Sequence, residues 1–229
     1  MQVVKLGDTK MTTEAINYLD AIEHLPAGGT LILNDVSWEE YEQLLADLGN
    51  SNAVRVSYDR GRLEIMSPTF GHEKYKDLIL RLTDIVADEM GLLLETAGST
   101  TFKQRELAQG AEPDTCFYIQ NADRIIGKTK IDLTTDPPPD VIVEIDVTHE
   151  STGKLAFYAA LGVPEIWHYD ERRMRIYHLT GQQYVEMPAS LVFPILTSDA
   201  LTGFLEQSKT EGQGATRRSF REWLRTQRP

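Results

Sequence analysis

Apolar residues recur along this chain with two different periods, and the changes of period mark out its helices and strands. Pro26-Ala27-Gly28-Gly29 is a loop signal. Ser37 then offers a helix N-cap, and Glu40 three residues on completes a capping box. Tyr41, Leu44, Leu45 and Leu48 form one apolar stripe, with Gly49 placed as a C′ glycine. Residues 53–58 and 63–66 alternate in character around Asp59-Arg60-Gly61, which predicts a hairpin ended by Ser67-Pro68-Thr69. A long helix is predicted over 71–90. Tyr75, Leu78, Ile79, Leu82, Ile85 and Val86 recur there at spacings of three and four, and Gly91 stops it.

Strands are predicted at 92–95, 100–102 and 115–119. Residues 120–139 are polar and end in three prolines, the mark of a surface excursion. Residues 141–147 are nearly continuous in β-branched side chains, as expected of a central strand covered on both faces. A helix over 151–161 with Gly162 as its stop follows, then a hairpin of 166–169 and 174–178 around residues 170–173. No repeat or low-complexity tract is visible. The order predicts an α/β fold of the α+β kind, a mixed central β-sheet flanked by helices. It divides into an N-terminal arm (1–36), a core (37–200) and a basic C-terminal helix or tail (201–229).

Composition narrows the class. The chain has 229 residues, 41% of them hydrophobic, enough for a packed core. Cys116 is the single cysteine, which excludes an intramolecular disulfide framework or a Cys-rich zinc cluster and fits a reducing compartment. The start of the chain lacks the apolar stretch of a signal peptide. No apolar run approaches the roughly 20 residues of a membrane span. A cytoplasmic protein with no membrane partner is expected. The net charge of −12 argues against coating nucleic acid by bulk attraction. It leaves a nuclease open, because a bound cation cancels local negative charge. Within 205–229, Lys209, Arg217, Arg218, Arg221, Arg225 and Arg228 stand against Glu206, Glu211 and Glu222, leaving +3. A solvated amphipathic helix and a phosphate-contacting one fit this tail equally.

The central strand carries an anomaly. Glu144 and Asp146 interrupt its apolar run at i, i+2, so both side chains leave the same face. Buried together, they repel each other and lose hydration, which calls for a metal ion, basic partners or a raised pKa. Asp114 follows Glu112-Pro113 at a strand entry and is a third candidate. Carboxylates with few histidines suit Mg²⁺ or Mn²⁺. Lys154 lies in the first turn of the next helix, where the helix dipole disfavours a cation, so a nearby anion is expected. Plainer roles stand beside these. Asp114 is a turn residue, Asp146 a salt-bridge partner, Lys154 a partner of Glu150, and Glu73 a favourable first-turn charge. His72 and His149 read as loop or cap residues, Trp167, Tyr169 and Tyr177 as core or hairpin residues, and Gly98 and Gly110 as turn glycines.

Pro113-Asp114, a gap, and Glu144-Ile145-Asp146 resemble the PD-(D/E)XK nuclease pattern. The wider text resembles the Uma2-like endonuclease family over roughly residues 35 to 195. The matching segments are Met66-Ser67-Pro68-Thr69, Gly71-His72-Glu73, Glu112-Pro113-Asp114, Pro139-Asp140-Val141-Ile142-Val143-Glu144 and the run from Tyr158 to Trp167. The resemblance implies a restriction-endonuclease-like fold with a Mg²⁺- or Mn²⁺-dependent site that hydrolyses DNA. On that basis Asp114 and Glu144 are metal ligands, with the Ile145 carbonyl as a further one. Lys154 positions or activates water, and Glu73 adds a carboxylate through water. Asp146 stands where the nuclease pattern has lysine, and Lys154 takes over from the helix. A homodimer is expected for symmetric duplex cutting. The alternative is a catalytically inactive nuclease-fold module binding nucleic acid or protein. A hydrolase of another phosphate ester is a third class.

Overall fold

The computed structural model describes residues 18–49, 53–145 and 152–227. In chain order its first elements are α1 (Tyr18–Glu23), β1 (Thr30–Leu33), α2 (Trp38–Leu48), β2 (Arg55–Asp59), β3 (Arg62–Met66) and α3 (Phe70–Met90). Then come β4 (Glu95–Thr96), β5 (Phe102–Gln104), a 3-10 turn (Arg105–Leu107), β6 (Gln109–Ala111), β7 (Thr115–Tyr118) and α4 (Ala122–Ile125). The last are β8 (Val141–Ile145), α5 (Thr152–Leu161), β9 (Glu165–Tyr169), β10 (Met174–Thr180), β11 (Gln183–Met187) and α6 (Ser198–Thr226). They fall into two compact units, Met1–Phe70 with Thr101–Glu112, and Gly71–Thr100 with Pro113–Pro229.

The first unit is an antiparallel sheet in the order β1-β3-β2-β6-β5 with α2 against it. The helix starts as its sequence predicts. Ser37 accepts from the Glu40 amide at 3.2 Å and Glu40 reaches back to the Ser37 amide at 2.7 Å. Trp38, Tyr41 and Leu44 turn inward, and Tyr41 stacks on Tyr58 with ring centroids 4.8 Å apart. The β2–β3 hairpin turns through Arg60 and Gly61, both at positive φ, the two-residue geometry that suits strand twist. Gly110 is not a turn glycine; it lies within β6. A Cβ there would come 2.2 Å from the Tyr41 hydroxyl, so close ring approach rather than φ demands glycine.

The second unit holds the predicted mixed sheet, in the order β11-β10-β9-β8-β7-β4. β8 pairs antiparallel with β7 and parallel with β9. The parallel step needs a crossover, and α5 supplies it. Every residue of β8 is buried, Glu144 included, as its nearly continuous β-branched run predicts. α3 contributes Leu78, Ile79, Leu82 and Val86 to the core, and α6 contributes Leu201, Leu205, Phe220 and Leu224. Each such side chain stabilises the fold by about 1.5–3 kcal/mol. The excursion after β7 is tied down by buried Asp140, whose carboxylate accepts from the Ile119 amide (2.7 Å), the Asn121 amide (3.1 Å) and the Asn121 side chain (2.7 Å). Among the described residues no helix is long and apolar enough to cross a membrane.

Candidate active site

The site forms where β7 begins and β8 ends. The register pairs Thr115 with Val143, so one step further on Asp114 stands opposite Glu144. Cross-strand neighbours project to the same side. The strand geometry therefore brings together two carboxylates that are 30 residues apart in the chain. Both are buried, Asp114 with 4% and Glu144 with 3% of its surface exposed. Asp114 Oδ2 accepts from the Ile145 amide at 2.7 Å, which fixes its direction.

α5 supplies the partners of Glu144. Lys154 and Tyr158 are four residues apart and so share one helix face. The Tyr158 hydroxyl donates to Glu144 Oε1 at 2.6 Å, and Lys154 Nζ donates to Oε2 at 3.2 Å. Lys154 keeps 18% of its side chain exposed, so its ammonium bridges the buried carboxylate and solvent. From α3, His72 Nε2 lies 3.5 Å from Asp114 Oδ2.

The electrostatics follow from this packing. Burial pushes the Glu144 carboxyl above its usual range, and the Asp114 charge adds to that push. Lys154 and the Tyr158 hydroxyl act against it. Burial also acts to raise Asp114, but His72, Lys154 and the Ile145 amide outweigh it and hold Asp114 below the usual range. Burial acts to lower His72, yet the charges of Asp114 and Glu144 raise it above the ordinary histidine value. One carboxylate is thus held firmly ionised while its neighbour is the readier of the two to take up a proton.

Of the expected site residues, Asp114, Glu144, Ile145 and Lys154 come together. Glu73 pairs instead with Lys76 one turn on, its side chain 43% exposed. Asp146 and His149 lie outside the described residues. Among the described residues no group of three His, Cys, Asp or Glu side chains is arranged to hold a metal ion. Asp114 and Glu144 are the hard oxygen donors present. Two residues of the cluster were missed by sequence reasoning. His72 is 7% exposed, not a loop or cap residue. The signal was its spacing to Tyr75 and Ile79, which continues the buried stripe of α3. Tyr158 was hidden because its i, i+4 relation to Lys154 also describes an ordinary core position. Trp167 and Tyr169 are buried core side chains, as expected.

This architecture is that of a nuclease-like α+β protein. A crystal structure of "a putative nuclease belonging to DUF820" from Anabaena variabilis ATCC 29413 is similar in fold. Its TM-score is 0.51 at 16% identity, covering 74% of this chain and 99% of that one. The model of the Uma2 family, described as "putative restriction endonuclease", matches residues 38–205, and the chain belongs to that family. No curated protein matches the sequence.

Proposed function

We propose that this chain is a DNA endonuclease whose Asp114 and Glu144 hold a Mg²⁺ or Mn²⁺ ion. One observation carries the reading: two buried carboxylates face each other at the ends of β7 and β8, with the Lys154 ammonium against one of them. The residues fit such an ion. Both donors are hard oxygens, and two buried like charges gain from positive charge beyond that of the Lys154 ammonium and the His72 imidazole. The Ile145 carbonyl is the further ligand in this reading. When bound, the ion would lower the pKa of a coordinated water and stabilise charge building on the phosphate.

The protein's own groups prepare the site. Tyr158 orients Glu144 through Oε1, and the Ile145 amide orients Asp114 through Oδ2. His72 helps keep Asp114 ionised. Lys154 neutralises Glu144 now, and it is partly exposed, as a group meant to meet a phosphate oxygen or an attacking water must be. Asp146 and Glu73 are accessory carboxylates in this scheme, and cutting both strands would take two chains.

The test is plasmid and single-stranded DNA cleavage with Mg²⁺ or Mn²⁺, run beside calorimetric Mn²⁺ titration. Cleavage and metal binding that both vanish in Asp114→Ala and Glu144→Ala are the expected result. Absent cleavage, or cleavage untouched by either variant, defeats the proposal. DNA binding with neither metal uptake nor cleavage would instead identify the inactive-module alternative.

A further inference from the structure

α3 and the second half of α6 face each other along two stripes of unusual composition. On α3 the stripe includes Arg81, Asp84 and Asp88; on α6 it includes Arg217, Arg218 and Arg221. Spacings of three, four and seven put Arg81, Asp84 and Asp88 on one face of α3, and the same spacings from Gly214 put Arg217, Arg218 and Arg221 on one face of α6. Here those positions line an open cleft of about 390 Å³. Gly212 breaks α6 with a left-handed backbone (φ 79°, ψ 158°) and redirects its second half. Gly214 adds no side chain to the cleft wall. The seam is pinned on either side, by Gln213 Nε2 to the Lys74 carbonyl at 2.9 Å and by Arg225 to Glu89 at 3.8 Å.

Among the described residues none of the four arginines is ion-paired or hydrogen-bonded to a carboxylate. The Arg217 Nε is buried without a hydrogen-bond partner. A buried, unpartnered guanidinium nitrogen is costly unless a ligand completes it. Four guanidiniums against two carboxylates leave the lining at +2. Guanidinium forks match phosphate oxygens, whereas Asp84 and Asp88 repel phosphate and accept from hydroxyl or amino groups.

We propose that the cleft between α3 and the second half of α6 is a nucleotide-binding site, with phosphate on the arginines and sugar or base donors on Asp84 and Asp88. It is separate from the carboxylate site. Arg81 lies nine residues beyond His72 on α3, about 13 Å along the axis and on the opposite helix face. The cleft volume accommodates one nucleotide unit. That unit is a free mononucleotide or part of a single strand, and the phosphate chemistry is common to both.

The experiment measures binding in metal-free buffer, so that it stands or falls independently of cleavage. The full chain is titrated with AMP, with a short fluorescent single-stranded oligonucleotide and with inorganic phosphate. Nucleotide or strand binding is expected, weakened about tenfold or more in Arg218→Ala/Arg221→Ala at unchanged melting temperature. Gly214→Leu fills the cleft and replaces a helix glycine, so binding is lost while the melting temperature holds or rises. AMP binding without strand binding identifies a free nucleotide, and the reverse identifies a nucleic-acid strand. Three results overturn the proposal: no binding of either probe, binding untouched by the arginine pair or by Gly214→Leu, and inorganic phosphate binding as well as AMP, which marks an adventitious ion only.

Discussion

Two buried glutamates stand on neighbouring strands of the same sheet, Glu144 on β8 and Glu165 on β9, and their partners differ in kind. Glu165 is fully buried. Its Oε2 accepts from the Leu191 amide at 2.6 Å and its Oε1 from the Trp167 indole. Burial raises its carboxyl, and these neutral donors, with Ser190 and to a lesser extent His178, act against the rise. Glu165 thereby anchors the segment after β11 to the sheet. Asp140 does the same for the excursion after β7, again through neutral N–H groups. Glu144 also accepts from one neutral donor, the Tyr158 hydroxyl, but it faces in addition a second carboxylate and a partly exposed ammonium. A buried acid with neutral donors holds chain in place. A buried acid set against another acid and a cation stores electrostatic tension that a ligand can relieve.

The sharpest way to break this comparison is to remove each carboxylate. Glu144→Ala should lower Mn²⁺-supported DNA cleavage by at least about two orders of magnitude, with calorimetric Mn²⁺ binding lost alongside. Glu165→Ala should leave Mn²⁺ binding intact and cost stability instead. It frees the Leu191 amide and strands the buried Trp167 indole, the latter worth about 1–3 kcal/mol when left unpaired. In a chain of this size every kcal/mol lowers the melting temperature by about 2–4 °C. A Glu165→Ala protein that melts like the parent, or that loses metal binding while folded, would erase the distinction.

The same contrast explains what could be read from the chain. The α2 capping box, the β2–β3 hairpin and the continuous β8 strand are set by neighbours within a few residues, so pattern suffices. Assigning the strands to two sheets is a long-range matter. β5 and β6 join the hairpin strands through pairings such as Tyr58 with Gly110, which no local period encodes. β11 is a mostly exposed edge strand without alternation, and so left no trace in the pattern. The predicted strand at 92–95 shrinks to Glu95–Thr96. Asp114 and Glu144 were legible because charges stand out in strand sequences. The donors that give Glu144 and Glu165 their opposite characters come from distant helices and loops.

Lys154 sharpens the comparison further, because its ammonium is the feature that Glu165 lacks. Lys154→Met should reduce cleavage about 100-fold or more while Mn²⁺ binding persists, since the carboxylates remain and a competitor for Glu144 Oε2 is gone. Lys154→Arg keeps the charge but changes its shape and reach, and should recover part of the activity. Metal binding that collapses in Lys154→Met would make the lysine a structural prop like the donors around Glu165.

The smallest expected effect is a titration. His72 is held above the ordinary histidine value by Asp114 and Glu144, against burial. Its folded pKa therefore exceeds its unfolded pKa of about 6.5. The stability it contributes is fully present below the unfolded value and is lost as pH rises through the folded one. In the metal-free protein, the ring-proton NMR signals of His72 should titrate above the ordinary value. In Asp114→Asn burial faces less opposition, and the same signals should move to lower pH. Glu165→Gln should leave them where they were, because that residue belongs to the tether and not to the cluster. A His72 titration indifferent to Asp114→Asn would remove the imidazole from the electrostatic cluster and leave it as packing.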